Sequence, residues 1–195
     1  MAEKKVALIA PNWLGDVIMM HSLVQTLKVL NAQVEISVFA AAAFAPLLAR
    51  MPEITQIYPT HFKHGRLGLS ARVALGKHLR GQNFDQGIVL PNSFKSALPL
   101  FWAKMPQRTG WIGELRHVLL NDIRRLQPEK VPTMVQRFVA LAYPAQHALA
   151  FSDCPYPKLQ TNPNAAFSLL EAHKNQVPSA RVIGLCPGAA YGPSK

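Results

Sequence analysis

Gly15 and Asp16 close the stretch PNWLGD, which follows the compact apolar run VALIA (Val6–Ala10) and leads into DVIMMHSLVQTLKVL. The run reads as a buried strand and the segment after it has helical spacing, so the Gly-Asp pair falls where a strand turns into a helix. A carboxylate there has two readings. It can be a first-turn acid favoured by the helix dipole. It can also be a general base at the mouth of a cleft, taking the proton from an attacking hydroxyl. The helix start is expected to keep Asp16 ionised, which suits a base but makes it a weak one. Only Gly15 stands where a dinucleotide fingerprint would need a glycine-rich run, so that fingerprint is absent.

A second loop of the same kind is PNSFKSAL (Pro91–Leu98). Asn92 and Ser93 are expected to cap the helix that follows. Lys95, in its first turn, opposes the dipole, which fits either an anion-binding cation or a solvated lysine. Two arginine-rich stretches stand apart. His61–Arg80 holds Lys63, Arg66, Arg72, Lys77 and Arg80 with three histidines and no acid, either a solvated helix face or an anion-docking surface. Gln107–Arg125 combines Arg108, Arg116, Arg124 and Arg125 with Trp111; these arginines could fork onto phosphates.

The elements that must position these residues alternate. Strands are predicted at Val6–Ala10, Val34–Phe39, Ile54–Tyr58 and Gly87–Leu90, with a fifth ending at Gly110. Helices are predicted at Asp16–Leu30, Ala42–Arg50, Arg66–Arg80, Ser93–Ala103 and Val131–Tyr143; in the first, Met20, Leu23, Val24, Leu27 and Leu30 share a side. This alternation predicts a Rossmann-like parallel sheet with helices on both faces. In such sheets ligands bind beyond the carboxyl ends of the strands, where PNWLGD and PNSFKSAL both lie. The expected organisation is a domain over residues 1–151, a proline-rich linker and connecting helix over 152–180, and the start of a second domain at 181–195. Arg181–Cys186 reads as a strand with no partner left to pair with, so the chain reads as cut short.

Bulk properties narrow the partners. Twenty-one Lys and Arg against 10 Asp and Glu leave +11 over 195 residues, which favours polyanions. No stretch is long enough for a spanning helix or a signal peptide, so a cytoplasmic protein is expected. Cys154 and Cys186 have no metal-ligand spacing and no acidic cluster appears, so neither a metal nor a cofactor is expected. The basic stretch lacks interleaved aromatics beyond Phe62 and matches no nucleic-acid motif, although a basic module docking on nucleic acid or anionic membrane is the alternative to an enzyme.

Taken together, PNWLGDVIMMHSL, RMPEI, LPNSFKSALPLF, RTGWIGELRHVLLND and CPGAAYGPSK resemble, in this order and spacing, the heptosyltransferases of glycosyltransferase family 9. The resemblance runs from Lys5 to Lys195 and is weakest over 152–175. It implies a two-domain GT-B enzyme that transfers heptose from ADP-heptose, the donor substrate, to the phosphorylated inner core of lipopolysaccharide, peripheral to the cytoplasmic face of the inner membrane. It implies Asp16 as the catalytic base, and Lys195 with Gly15 at the donor phosphates. The acceptor then falls to Asn92, Ser93, Lys95, Lys63, Arg66, Arg108 and Arg116. Since most of the second domain is missing after Lys195, the chain alone is expected to bind donor poorly.

Overall fold

The computed structural model describes residues 4–62 and 67–161, together with Leu185. The chain divides into two compact units, Met1–Gln160 and Thr161–Lys195, and the account below concerns the first.

Its sheet has six strands, β1 (Lys5–Ile9), β2 (Glu35–Ala41), β3 (Gln56–Thr60), β4 (Gln86–Val89), β5 (Gln107–Trp111) and β6 (Asp122–Arg124). They lie in the order β3-β2-β1-β4-β5-β6, and every pairing is parallel. Both faces are covered, and the side-chain period of two sorts β1 between them. Val6 and Leu8 join Ile36, Val38 and Ile88 in one core, while Ala7 and Ile9 join Phe39 and Val89 in the other. Helices α1 (Leu14–Leu30) and α5 (Met134–Val139) supply the first core, α3 (Leu69–Arg80) and α4 (Phe94–Trp102) the second. This is the Rossmann-like architecture expected from the alternation.

The differences from expectation are local. In α1, Val17, Met20, Leu23, Val24 and Leu27 are buried, but Leu30 is 45% exposed, because the helix ends there and Asn31 turns the chain toward β2. The helix expected over 42–50 is a 3-10 turn, Ala42–Phe44, followed by the four-residue α2 (Ala45–Leu48). The last helix is also shorter, because Thr133 caps it with a reciprocal box involving Gln136. Strand β6 was not expected at all.

Residues 155–160, read from sequence as linker, pack onto the sheet unit. Gln160 N–H donates to Arg50 O at 2.8 Å, and Leu159 packs against the first core. Lys158 N–H donates to Nδ1 of the fully buried His21 at 3.3 Å. With Nδ1 accepting, the ring's proton is on Nε2, which donates to Glu53 Oε2 at 2.8 Å. These contacts are why the first unit extends through Gln160. The segments read as helix at 164–175 and strand at 181–186 lie outside the described residues, apart from Leu185.

Candidate active site

Strand β1 sits between β2 and β4, so the connections leaving β1 and β4 depart in opposite directions. That divergence opens a crevice at the carboxyl ends of the two strands. Four loops meet there around a cavity of about 500 Å³. The loop after β1 gives Asn12 and Trp13, and the loop after β4 gives Pro91, Asn92, Ser93, Phe94 and Lys95. Phe62, Leu67 and Arg72 come from the segment after β3, and Glu114 from the loop after β5.

Asp16 is in the first turn of α1, three residues beyond Trp13. Among the described residues nothing hydrogen-bonds or ion-pairs with its carboxylate. Burial raises its pKa above the ordinary 3.8. The sequence argument invoked the helix start, which lowers a carboxyl's pKa; loss of solvent acts the other way, and the raised value makes Asp16 a stronger base than a solvated carboxylate. Gly15 is exposed, and a Cβ placed on it would find no atom within 4 Å. The fold does not require glycine at this point, and the space above it is open.

The loop after β4 is held from outside itself. Ser93 occupies the cap position of α4 but makes no side-chain cap bond; instead the Glu114 carboxylate accepts the Phe94 N–H at 2.8 Å. The capping expected of Asn92 and Ser93 is thus done by an acid twenty residues away, which leaves both side chains at the cavity. Lys95 lines the cavity as well.

Arg116 corrects another expectation. It is 1% exposed; its guanidinium donates to Pro91 O at 2.5 Å and to Trp111 O, while its Nε is buried with no hydrogen-bond partner among the described residues. It ties the loop after β4 to the end of β5, and its burial, rather than full use of its donors, keeps it from the cavity surface. Leu115, at φ +45° and 79% exposed, makes the left-handed turn that sends Glu114 toward α4 and Arg116 inward. Gly113 lets this loop approach closely, since a Cβ there would sit 2.7 Å from Asn92 O.

Arg72, read from sequence as part of a docking surface, is 6% exposed. Its Nε donates to Leu67 O at 2.8 Å and one NH to Lys95 O at 3.0 Å, while its guanidinium lies 4.1 Å from the Phe62 ring centre. It braces the cavity floor between α3 and α4. Arg108 is not brought to the site. It lies near the amino end of β5, its Nε donating to Leu119 O at 2.7 Å and one NH to Met105 O at 2.6 Å. Lys63, Arg66 and Lys195 lie outside the described residues.

Sequence reasoning missed Glu114 and the aromatic rings in the lining, and gave Arg72 a docking role where it serves as a brace. Trp13 was the legible one: an aromatic where a small polar cap is usual.

Residues 72–195 match the family described as glycosyltransferase family 9 (heptosyltransferase). Lipopolysaccharide heptosyltransferase 2 of Salmonella typhimurium is 44% identical over 98% of this chain. The solved structure of Escherichia coli ADP-heptose lps heptosyltransferase II superposes with a TM-score of 0.82 at 41% identity over 97% of this chain and 56% of that one. Escherichia coli heptosyltransferase WaaC with ADP, 17% identical, shares the fold over 86% of the chain at a TM-score of 0.59. The chain spans 56% of the length of the Salmonella relative. It belongs to glycosyltransferase family 9, the heptosyltransferases.

Proposed function

We propose that this chain forms the acceptor-side half of a transferase that moves heptose from ADP-heptose to the phosphorylated inner core of lipopolysaccharide, with Asp16 as general base. The observation that carries the reading is Asp16 itself, a carboxylate partly withdrawn from solvent and one helical turn from a cavity of mixed polar and aromatic lining at the switch point of the sheet. The names and identities of the relatives support the choice of substrates.

In this mechanism one Asp16 oxygen accepts the proton of an acceptor hydroxyl. The freed oxygen lone pair attacks the anomeric carbon as the bond from that carbon to the diphosphate oxygen breaks. ADP departs with the bonding electrons and the anomeric configuration inverts. The open space over Gly15 and the α1 N-terminus, which carries no side-chain cap, suit the developing diphosphate charge. We assign Lys195 to the same phosphates and Asn92, Ser93 and Lys95 to the acceptor, with Lys63 and Arg66 as further acceptor cations. The donor is a substrate, and no cofactor is assigned. The acceptor is a lipid-anchored polyanion, so the protein works at the anionic cytoplasmic face of the inner membrane, and +11 suits that surface better than a neutral protein would.

The test is Asp16→Asn in the intact protein. Transfer should fall by about two to four orders of magnitude, the usual range for a lost general base, with donor affinity unchanged and no loss of thermal stability. Transfer within a few-fold of wild type would reduce Asp16 to a first-turn acid.

A further inference from the structure

We propose that His21 is a proton-operated latch: its neutral ring holds the segment 155–160 on the helix that carries Asp16, and its charged ring releases it. The latch takes no part in the cavity lining, and it stands whether or not the transferase reading does. His21 is on α1, one turn beyond Asp16, and fully buried. A buried imidazole needs partners for both nitrogens. Here they come from two different segments of the chain. Nε2 meets Glu53 Oε2 at 2.8 Å, and Nδ1 accepts the Lys158 N–H at 3.3 Å. Two further bonds fix the same segment. Gln160 N–H donates to Arg50 O at 2.8 Å, and the Arg50 guanidinium donates to Gln160 O at 3.2 Å. Leu159, between these anchors, is half-buried against the first core. Arg50 and Glu53 both belong to the string RMPEI, which supplies nothing to the cavity; receiving this segment is its role.

Of these anchors, the one at His21 depends on a proton. A neutral imidazole offers one donor and one acceptor, a charged one two donors. With Nε2 donating to Glu53, Nδ1 is the acceptor. Once Nδ1 carries a proton, its N–H faces the Lys158 N–H, donor against donor, and the bond is lost. Glu53 supplies the counter-ion without which a charged ring could not stay buried. The charged groups of the neighbouring elements are engaged elsewhere. Lys28 of α1 donates to Val34 O, Arg137 of α5 donates to Val131 O and Pro132 O, and Glu35 of β2 pairs with Lys5. On the segment itself, the Tyr156 and Lys158 side chains are exposed. The balance at the ring therefore lies between Glu53, which favours the second proton, and the Lys158 N–H, which opposes it. Residues 155–160 bring the chain to the end of the first unit. The proton on His21 thus decides whether that exit is pinned to α1 or held by Arg50 and Leu159 alone.

The experiment is hydrogen exchange of the Lys158 amide, followed by NMR in the intact protein and corrected for the intrinsic pH dependence of exchange. It runs from about pH 8 to about pH 5, the span over which imidazoles change charge. In wild type, protection should fall by up to about tenfold per pH unit once the ring takes its second proton. Amides of the central strand β1 should stay protected throughout. His21→Gln supplies an acceptor and a donor that do not titrate, so its Lys158 protection should not vary with pH. Glu53→Gln keeps an acceptor for Nε2–H and removes the counter-ion, so the loss should move to lower pH. Wild-type protection that stays flat overturns the latch, as does the same fall in His21→Gln or a loss that Glu53→Gln leaves in place. Should His21→Gln fail to fold, wild type and Glu53→Gln decide the matter by themselves.

Discussion

At Asp16 two influences on one carboxyl act in opposite directions. The helix N-terminus favours the charged form, and partial withdrawal from water favours the neutral one. The second is stronger, so the folded protein holds the Asp16 proton to a higher pH than an unfolded chain does. The consequence for stability has a definite sign. Below the ordinary carboxyl value of 3.8 both states are protonated and the residue is neutral in its effect. As pH rises past that value the unfolded chain loses its proton first, so stability falls until the folded carboxyl has ionised too. Comparing wild type with Asp16→Asn by thermal unfolding between mildly acid and neutral pH should therefore show wild type losing ground as pH rises. A wild type that instead gained ground would mean that the helix dipole governs Asp16. The transfer rate should have its acid limb at the same raised value.

At the scale of elements, the site depends on loops held from a distance. Arg116 joins the loop after β4 to the end of β5 through two carbonyls, and Glu114, two residues before Arg116 in the loop after β5, caps α4. Arg116→Ala would leave the Pro91 and Trp111 carbonyls without these donors in a buried place, which costs about 2–4 kcal/mol. Urea unfolding should register that loss, with a rise in acceptor KM as the Pro91–Lys95 loop relaxes. Arg116→Lys should recover only part of it, since an ammonium cannot match the planar fork. Unchanged stability in the Ala variant would contradict the tie. None of this was legible in the sequence. Arginines are ordinarily exposed, so Arg116 read as a phosphate ligand, and a cap supplied from twenty residues away leaves no local signature. What periodicity could reveal, it did: β1, β2 and β4 are buried on both faces and read as apolar runs. Strand β6 escaped because its three residues, Asp122, Ile123 and Arg124, form no apolar run. Arg124 pairs with Asp122 at 2.6 Å, and Thr109 Oγ1 donates to the same carboxylate at 2.8 Å. The segment 155–160 read as a linker for a related reason, since its anchors are backbone bonds to Arg50 and His21.

At the scale of the whole molecule, charge and fold act on different steps. The fold brings the loops after β1 and β4 to one crevice. On the proposed reading, the net charge of +11 acts over longer distances, on the search for an acceptor. Among the described residues no helix is long and apolar enough to cross a membrane. Exposed apolar side chains do stand near the cavity, with Trp13 and Leu67 in its lining and Leu14, Leu69 and Leu115 beside them in sequence. A basic protein of this kind should associate reversibly with an anionic bilayer, each cation close to the surface contributing about 1 kcal/mol. Sedimentation with vesicles rich in phosphatidylglycerol should pull down the chain at about 0.01 M salt, where the screening length is about 30 Å, and release most of it near 1 M, where it is about 3 Å. Vesicles of phosphatidylcholine alone should hold little under either condition. Retention at high salt would mean that the apolar residues near the cavity, rather than charge, anchor the protein. Duplex DNA added at low salt completes the comparison: if it competed for the chain as well as soluble lipopolysaccharide core does, the charge would be a general polyanion surface with no bearing on the acceptor. Preferential displacement by the core sugars would tie the long-range attraction to the cavity that holds Trp13 and Lys95.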